Sequence, residues 1–222
     1  MLQRSDPQFL HEIRKSLYTA VLSDVLDELG FPDQAMPSSI RPLDENLVLA
    51  GFARTGLYRE VFHAVGENPY ELEIALVDDL KPDDVAVFGC CGSRRIAPWG
   101  ELLSTASRAR GAAGCVTDGM VRDIRAIRLL RFPVFHGGIA PLDSKGRGKV
   151  AEIDTPIRCG GVAVAPGDLV VGDADGVIVV PQAVEDEALR RAFAKVAGEN
   201  TTRDELIAGA KLAEVYAKYR VL

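Results

Sequence analysis

Glu101, Arg122 and Asp123 are the residues whose types and spacing best suit them to chemistry. Two carboxylates offer hard oxygen ligands of the kind Mg²⁺ or Mn²⁺ accepts, and a guanidinium offers a planar fork of donors for oxyanions. Gly100 and Glu101 open a predicted helix through Leu102, Leu103, Ala106 and Ala109, with Gly111 as its stop. The free amides of Leu102 and Leu103, at that helix's N-terminus, can receive an anion such as a carboxylate. Glu101 beside them is at odds with anion binding unless a cation lies between. Ala113 to Thr117 reads as a buried strand, Asp118-Gly119-Met120 as a turn, and Ile124 to Leu130 as a second helix. Arg122 and Asp123 then fall at the carboxyl end of a strand, where open α/β sheets commonly build their sites.

The elements that position these residues come from an ordinary globular composition. The chain has 222 residues, 26% of them charged and 47% hydrophobic, enough for one substantial core. Its formal charge of −6 argues against nonspecific nucleic-acid binding, which draws on a basic surplus. Cys90, Cys91, Cys115 and Cys159 form no CxxC pair, and adjacent Cys90-Cys91 read as buried thiols. The start, Met1 to Pro7, is polar, so no signal peptide or membrane span is expected, and a reducing cytoplasm fits.

Asp6 to Gly30 reads as helical, with Asp24 on a solvated face, as a cap or in a pocket wall. Asp33 to Pro42 is turn-rich, and Leu47 to Leu57 alternates like a strand. His63 has no second ligand at metal spacing and reads as structural or exposed. Tyr70 to Leu80 fits a helix whose apolar side is Leu72, Ile74, Ala75, Leu76 and Leu80, and Val85 to Phe88 is a buried strand. Phe132 to Phe135 is a further strand, followed by His136-Gly137-Gly138. Lys145 and Arg147 lie in a basic loop that either meets a distal substrate carboxylate or is simply solvated. Asp173 and Asp175 suit a tight turn better than a metal site. Val184 to Val196 and Arg203 to Tyr219 read as two closing helices. With no repeat, linker or low-complexity tract, residues 1–222 are expected to form one domain with a C-terminal helical segment.

The spacing of Glu101 and Arg122-Asp123 resembles the acidic-x20-Arg-Asp signature of class II pyruvate aldolases. These enzymes cleave 4-hydroxy-4-methyl-2-oxoglutarate and 4-carboxy-4-hydroxy-2-oxoadipate. Their fold family also holds the regulator of ribonuclease activity A (RraA), and some members have been labelled demethylmenaquinone methyltransferases. The resemblance extends through Thr19 to Asp27, Lys81 to Val85, Gly100 to Leu103, Phe132 to Phe135 and Gly172 to Val177. It implies an α/β protein of the β/β/α swivelling type. Asp123 would ligate a divalent metal, Mg²⁺ or Mn²⁺, and Glu101 would hold metal-bound water or help activate the substrate hydroxyl. Arg122 would bridge ketone and carboxylate oxygens, and the Leu102 and Leu103 amides would bind the pyruvyl carboxylate. It further implies a homotrimer, or a homohexamer of trimers, in which a neighbouring chain's acidic residue approaches the metal, here Glu199 or else Glu205. This chain departs from the family pattern twice. Glu stands at 101 where Asp is commoner, and Gly137 stands where relatives often carry arginine.

Cleaving a carbon–carbon bond beside a ketone leaves an enolate whose charge must be stabilised. A lysine Schiff base needs a desolvated amine, and Lys15, Lys81, Lys145, Lys149, Lys195, Lys211 and Lys218 all sit in polar or turn contexts. A metal Lewis acid is the alternative. The leading expectation is therefore a metal-dependent aldolase acting on keto acids, with oxaloacetate decarboxylation as a related activity. A regulator that binds a ribonuclease or helicase is the second reading. Methyltransfer is third, since no GxGxxG loop is present.

Overall fold

Strands buried on both faces read as continuous apolar runs, and here they form the wall of a nearly closed, barrel-like sheet. The computed structural model describes residues 3–64 and 66–220. Met1 in the polar start, and Val65 in the stretch around His63, lie outside the described residues. In chain order the elements are α1 (Phe9–Ser16), α2 (Thr19–Glu28), β1 (Arg41–Pro42), β2 (Leu49–Glu60), α3 (Glu71–Asp78), β3 (Asp84–Gly89), α4 (Glu101–Ala109), β4 (Gly114–Val121), α5 (Ile124–Leu130), β5 (Val134–Ile139), β6 (Gly148–Ile153), β7 (Ile157–Cys159), β8 (Val162–Val164), β9 (Leu169–Gly172), β10 (Val177–Val180), α6 (Glu185–Ile207) and α7 (Leu212–Tyr219).

The main sheet runs β1-β5-β4-β3-β2-β9-β10, with β6 added beside β2. Strands β2 to β5 pair in parallel, while β1, β6, β9 and β10 join antiparallel. The turn-rich stretch before β2 links the two edges: Ala35 bridges Ile178 of β10, and Arg41 pairs with His136 of β5. Period-two alternation sorts the side chains into layers. Val85, Val87, Val116, Phe135, Val170 and Val179 fill the interior. On one outer face Ala86, Phe88, Cys115 and Val134 meet the layer of α3, α4 and α5. On another, Ala50, Leu169, Val171, Ile178 and Val180 meet α1, α2 and α6. This α/β architecture is the swivelling type expected from the sequence.

Several local expectations are corrected. The N-terminal helix is broken at Leu17 and Tyr18, where the backbone is extended, and Asp173 accepts from the Thr19 amide and hydroxyl at 2.8 and 2.7 Å at the start of α2. Asp118-Gly119-Met120 is not a turn. Strand β4 runs on through a register shift to Val121, and Asp118 accepts from the amides of Cys90, Gly92 and Gly160. The expected pair of closing helices is instead one long α6, running through Gly198, and a short α7. Cys90 is buried, but Cys91 is exposed in a left-handed conformation at φ 54°. Among the described residues no helix is long and apolar enough to cross a membrane.

Candidate active site

Residues 96–100 run beside the end of β4 and bring the two halves of the predicted motif together. The Met120 amide donates to Ile96 O, Trp99 bridges Val121 in parallel, and the Arg122 amide donates to Trp99 O at 3.1 Å. Trp99 is fully buried between Phe88 and Phe132, with ring centroids 5.8 and 6.3 Å away. Its indole N–H donates to Ser104 Oγ at 2.8 Å, and that hydroxyl donates to Gly100 O at 3.0 Å. The start of α4 is thereby fastened to the core.

Gly100 is where α4 meets Asp123. A Cβ there would lie 2.7 Å from Asp123 Oδ2 and 3.2 Å from Arg122 Cγ, so a side chain would displace the carboxylate. The Glu101 amide donates to Asp123 Oδ2 at 3.3 Å. The next amides, Leu102 and Leu103, belong to the helix's first turn and have no intrahelical acceptor. Asp123 itself sits at φ 58° and ψ 29°, a left-handed position that Asp tolerates better than most residues, immediately before α5. Arg122 is held on several sides. Its Nη1 donates to Leu142 O at 3.2 Å and lies 3.8 Å from Asp143, while its Nε lies 3.7 Å from Asp123 Oδ2.

Arg122, Asp123, Gly100, Leu102 and Leu103 line one cavity of about 340 Å³, and Trp99, Tyr70, Glu73, Asp143 and Ser144 are also among its walls. Glu101, although predicted as a site residue, does not line it, and its carboxylate accepts from Thr105 Oγ1 at 2.7 Å, one turn along its own helix. Among the described residues no three His, Cys, Asp or Glu side chains are grouped to hold a metal ion. The local donor set is Asp123 with Glu101 nearby. That set fits a hard cation retaining several waters, as Mg²⁺ commonly does.

The other candidates lie apart from this cavity. Glu199 accepts from the Tyr18 hydroxyl, and Glu205 pairs with Lys218 and Tyr219. Asp24 pairs with Lys195 at 2.6 Å, and His63 is exposed in a loop. The loop after β5 enters the site through Asp143 and Ser144 rather than Lys145 and Arg147, neither of which lines the cavity. Gly137 has no room for a side chain, since a Cβ would meet Asp118 O at 2.4 Å.

Sequence reasoning missed Glu73, Tyr70 and Asp143. The buried face of α3 is Glu73, Leu76 and Val77, whereas Ile74 is exposed. Burial pushes the Glu73 carboxyl up to about 7, with the Asp143 charge adding to the rise and the Tyr58 hydroxyl and Arg122 opposing it. Burial and the hydrogen bond to Asp143 push the Tyr70 hydroxyl up to about 12. Partial burial raises Asp143, but the bond from Tyr70, neighbouring loop amides and Arg122 outweigh it and hold this carboxyl below the ordinary range.

A family model described as RraA-like, Aldolase/RraA, matches residues 19–179. A protein of Halalkalibacterium halodurans named "Putative 4-hydroxy-4-methyl-2-oxoglutarate aldolase" is 37% identical over 198 residues, covering 89% of this chain and 88% of that protein. Among solved structures, an uncharacterized protein from Pseudomonas syringae superposes with a TM-score of 0.83 at 28% identity, covering 96% of this chain and 99% of the other. Streptomyces coelicolor RraAS2, described as an unusual member of the RNase ES inhibitor RraA protein family, gives 0.79 at 29% identity over 91% of this chain and 99% of its own. With the strand order and the Gly100–Arg122–Asp123 junction in place, the chain belongs to the RraA-like Aldolase/RraA family.

Proposed function

We propose that this protein is a divalent-metal-dependent lyase that releases pyruvate from 4-hydroxy-2-oxo acids of the 4-hydroxy-4-methyl-2-oxoglutarate type. The observation that carries this reading is the convergence of Arg122, Asp123 and the first turn of α4 on one cavity. Bound Mg²⁺ or Mn²⁺ would supply a Lewis acid for the ketone oxygen. Asp123 would hold that ion, and Glu101 would hold one of its waters. The Leu102 and Leu103 amides bind the pyruvyl carboxylate, aided by the positive end of the helix dipole. Arg122 spans that carboxylate and the ketone oxygen, where negative charge grows as the C3–C4 bond breaks. The buried wall of Ala97, Pro98 and Trp99 keeps water from that face. Oxaloacetate decarboxylation would use the same residues, because losing CO₂ leaves the same pyruvate enolate. A panel of 4-hydroxy-2-oxo acids and oxaloacetate, assayed for pyruvate in the presence of Mg²⁺, tests the reading. Release from at least one hydroxy acid is expected, and none from any member would reject it.

The family likeness also supports a shared site in a homotrimer or homohexamer. Leu129 and Ile139 are 79% and 52% exposed beside Arg122 and Asp123, and they line an open groove of about 860 Å³ with them. Within one chain Glu199 bonds to Tyr18, so its contribution would come from a neighbour. Arg122→Ala and Glu199→Ala proteins, each inactive, should regain part of the activity when unfolded and reassembled together. Mixed rings then contain some sites with both residues. No recovery despite proven subunit mixing would count against sharing.

A regulator that binds a ribonuclease or helicase is the second reading, favoured by the description of the Streptomyces structure. It leaves the Arg122–Asp123 junction without a purpose. A reducing cytoplasm suits either reading, given free Cys90, Cys91, Cys115 and Cys159.

A further inference from the structure

One buried carboxyl in the cavity has no part in that scheme. Glu73, on α3, is only 6% exposed, yet it lines the same cavity as Arg122, Asp123 and Asp143. A buried carboxylate is costly unless a cation or donors hold it. The recorded ion pairs of Arg122 go to Asp123 and Asp143, and among the described residues none reaches Glu73. Groups face it from each packed element: Tyr58 from β2, Arg122 from the end of β4, Asp143 from the loop after β5, Tyr70 ahead of α3 and Cys90 beyond β3. The Tyr58 hydroxyl is itself fully buried and makes no well-formed hydrogen bond among the described residues. A buried polar pair with so little fixed bonding is poorly explained as a structural support.

Building on the aldolase reading, we propose that Glu73 is the proton-transfer residue of the cleavage, taking the substrate's 4-hydroxyl proton and returning it to C3. As the O–H bond breaks, its electron pair forms the new C4=O bond. The C3–C4 pair moves into C2=C3, and the ketone oxygen takes the negative charge beside Arg122. In the return step the oxygen pair re-forms C2=O as the C2=C3 pair takes the proton from the Glu73 carboxyl, giving the methyl group of pyruvate and regenerating the carboxylate. No proton is gained or lost overall, so one residue serves as base and then as acid.

The two carboxyls of this wall are set apart by their surroundings, the pattern expected of distinct roles. Asp143, bonded by Tyr70 at 2.8 Å and near Arg122, stays ionised and is a weak base. Glu73 titrates at about 7, where a group can both take and give a proton near neutrality. It must be ionised to act as base, so cleavage should rise with pH through that region and fall away below it.

The test is Glu73→Gln in the Mg²⁺-loaded protein, a change that keeps volume and removes the titration. Pyruvate release from 4-hydroxy-4-methyl-2-oxoglutarate should fall about 10²–10⁴-fold in kcat, the usual worth of a general acid–base group. Oxaloacetate decarboxylation removes no hydroxyl proton, and once CO₂ has left, solvent can protonate the enolate in place of Glu73, so this reaction should fall by less than about 10-fold, which also shows that the variant is folded. Exchange of pyruvate methyl protons in D₂O, followed by NMR, should be lost with the cleavage, and the rising limb of the pH profile should disappear. Unchanged cleavage in the variant, or equal loss of both reactions, overturns the role of Glu73 while the aldolase reading stands. A wild-type protein that cleaves no hydroxy acid overturns both.

Discussion

Replacing Arg122 with alanine lowers kcat for pyruvate release by about 10²–10³-fold, the range seen when one oxyanion donor is removed. That loss corresponds to about 2.7–4 kcal/mol of transition-state stabilisation. The expectation rests on how firmly the guanidinium is aimed. Its backbone amide is tied to Trp99 O at 3.1 Å, and its Nη1 donates to Leu142 O at 3.2 Å. The half-exposed Asp123 and Asp143 flank it at 3.7 and 3.8 Å. Such exposed pairs contribute little to folding stability, so the variant should remain folded. Lysine at 122 should restore only part of the rate, because an ammonium lacks the planar fork that spans two oxygens. The distinguishing feature is a fall in kcat larger than any rise in KM, since the charge being stabilised develops only as the bond breaks. Steady-state kinetics would decide it, and wild-type turnover in the alanine variant would leave the proposed site without its centre.

Stripping divalent ions with EDTA should abolish pyruvate release, and adding back Mg²⁺ or Mn²⁺ should restore it. Hard cations prefer carboxylate and water oxygens. Asp123 lines the cavity, as Glu73 and Asp143 do, and accepts from the Glu101 amide. Asp123→Asn should weaken Mn²⁺ binding at least about 10-fold, as when a ligand or its supporting shell is altered. An electron paramagnetic resonance titration of free Mn²⁺ reads this directly, with no substrate present. Borohydride added with substrate should trap nothing. Among the described residues no lysine lines the cavity, and Lys81, Lys195 and Lys218 are committed to surface pairs with Asp79, Asp24 and Glu205. Full activity after rigorous chelation, or a stable lysine adduct, would remove the metal from the mechanism.

The junction at the centre of the site was legible because local rules decide it. Gly100 ahead of Glu101 and Gly111 at φ 81° after α4 follow from start and stop signals. What escaped was set by tertiary packing. Leu17 and Tyr18 carry no breaker residue, yet the chain extends there so that α1 and α2 can each lie against the sheet. Asp118-Gly119 has turn composition, but Thr117 and Met120 on either side pair with β5, so the strand runs through it as an irregularity. Glu73 escaped for a related reason. A pattern search assigns Ile74 to the buried side of α3, whereas the helix is rotated so that a carboxyl faces inward and Ile74 faces out. No periodicity rule finds a functional residue that violates the periodicity.

The left-handed backbone at Asp123 has a consequence for how such a protein can change over generations. Glycine, asparagine and aspartate take that conformation at the least cost. Exchange for asparagine or glycine therefore removes the negative charge while leaving the chain path undisturbed, whereas most other residues would strain the turn into α5. On the proposed reading, catalytic competence can be shed at this position in a single neutral-looking step, with the architecture retained for other uses. Regaining it requires one particular residue at one particular place. A lineage built on this scaffold is thus expected to yield silent, well-folded descendants more readily than new enzymes.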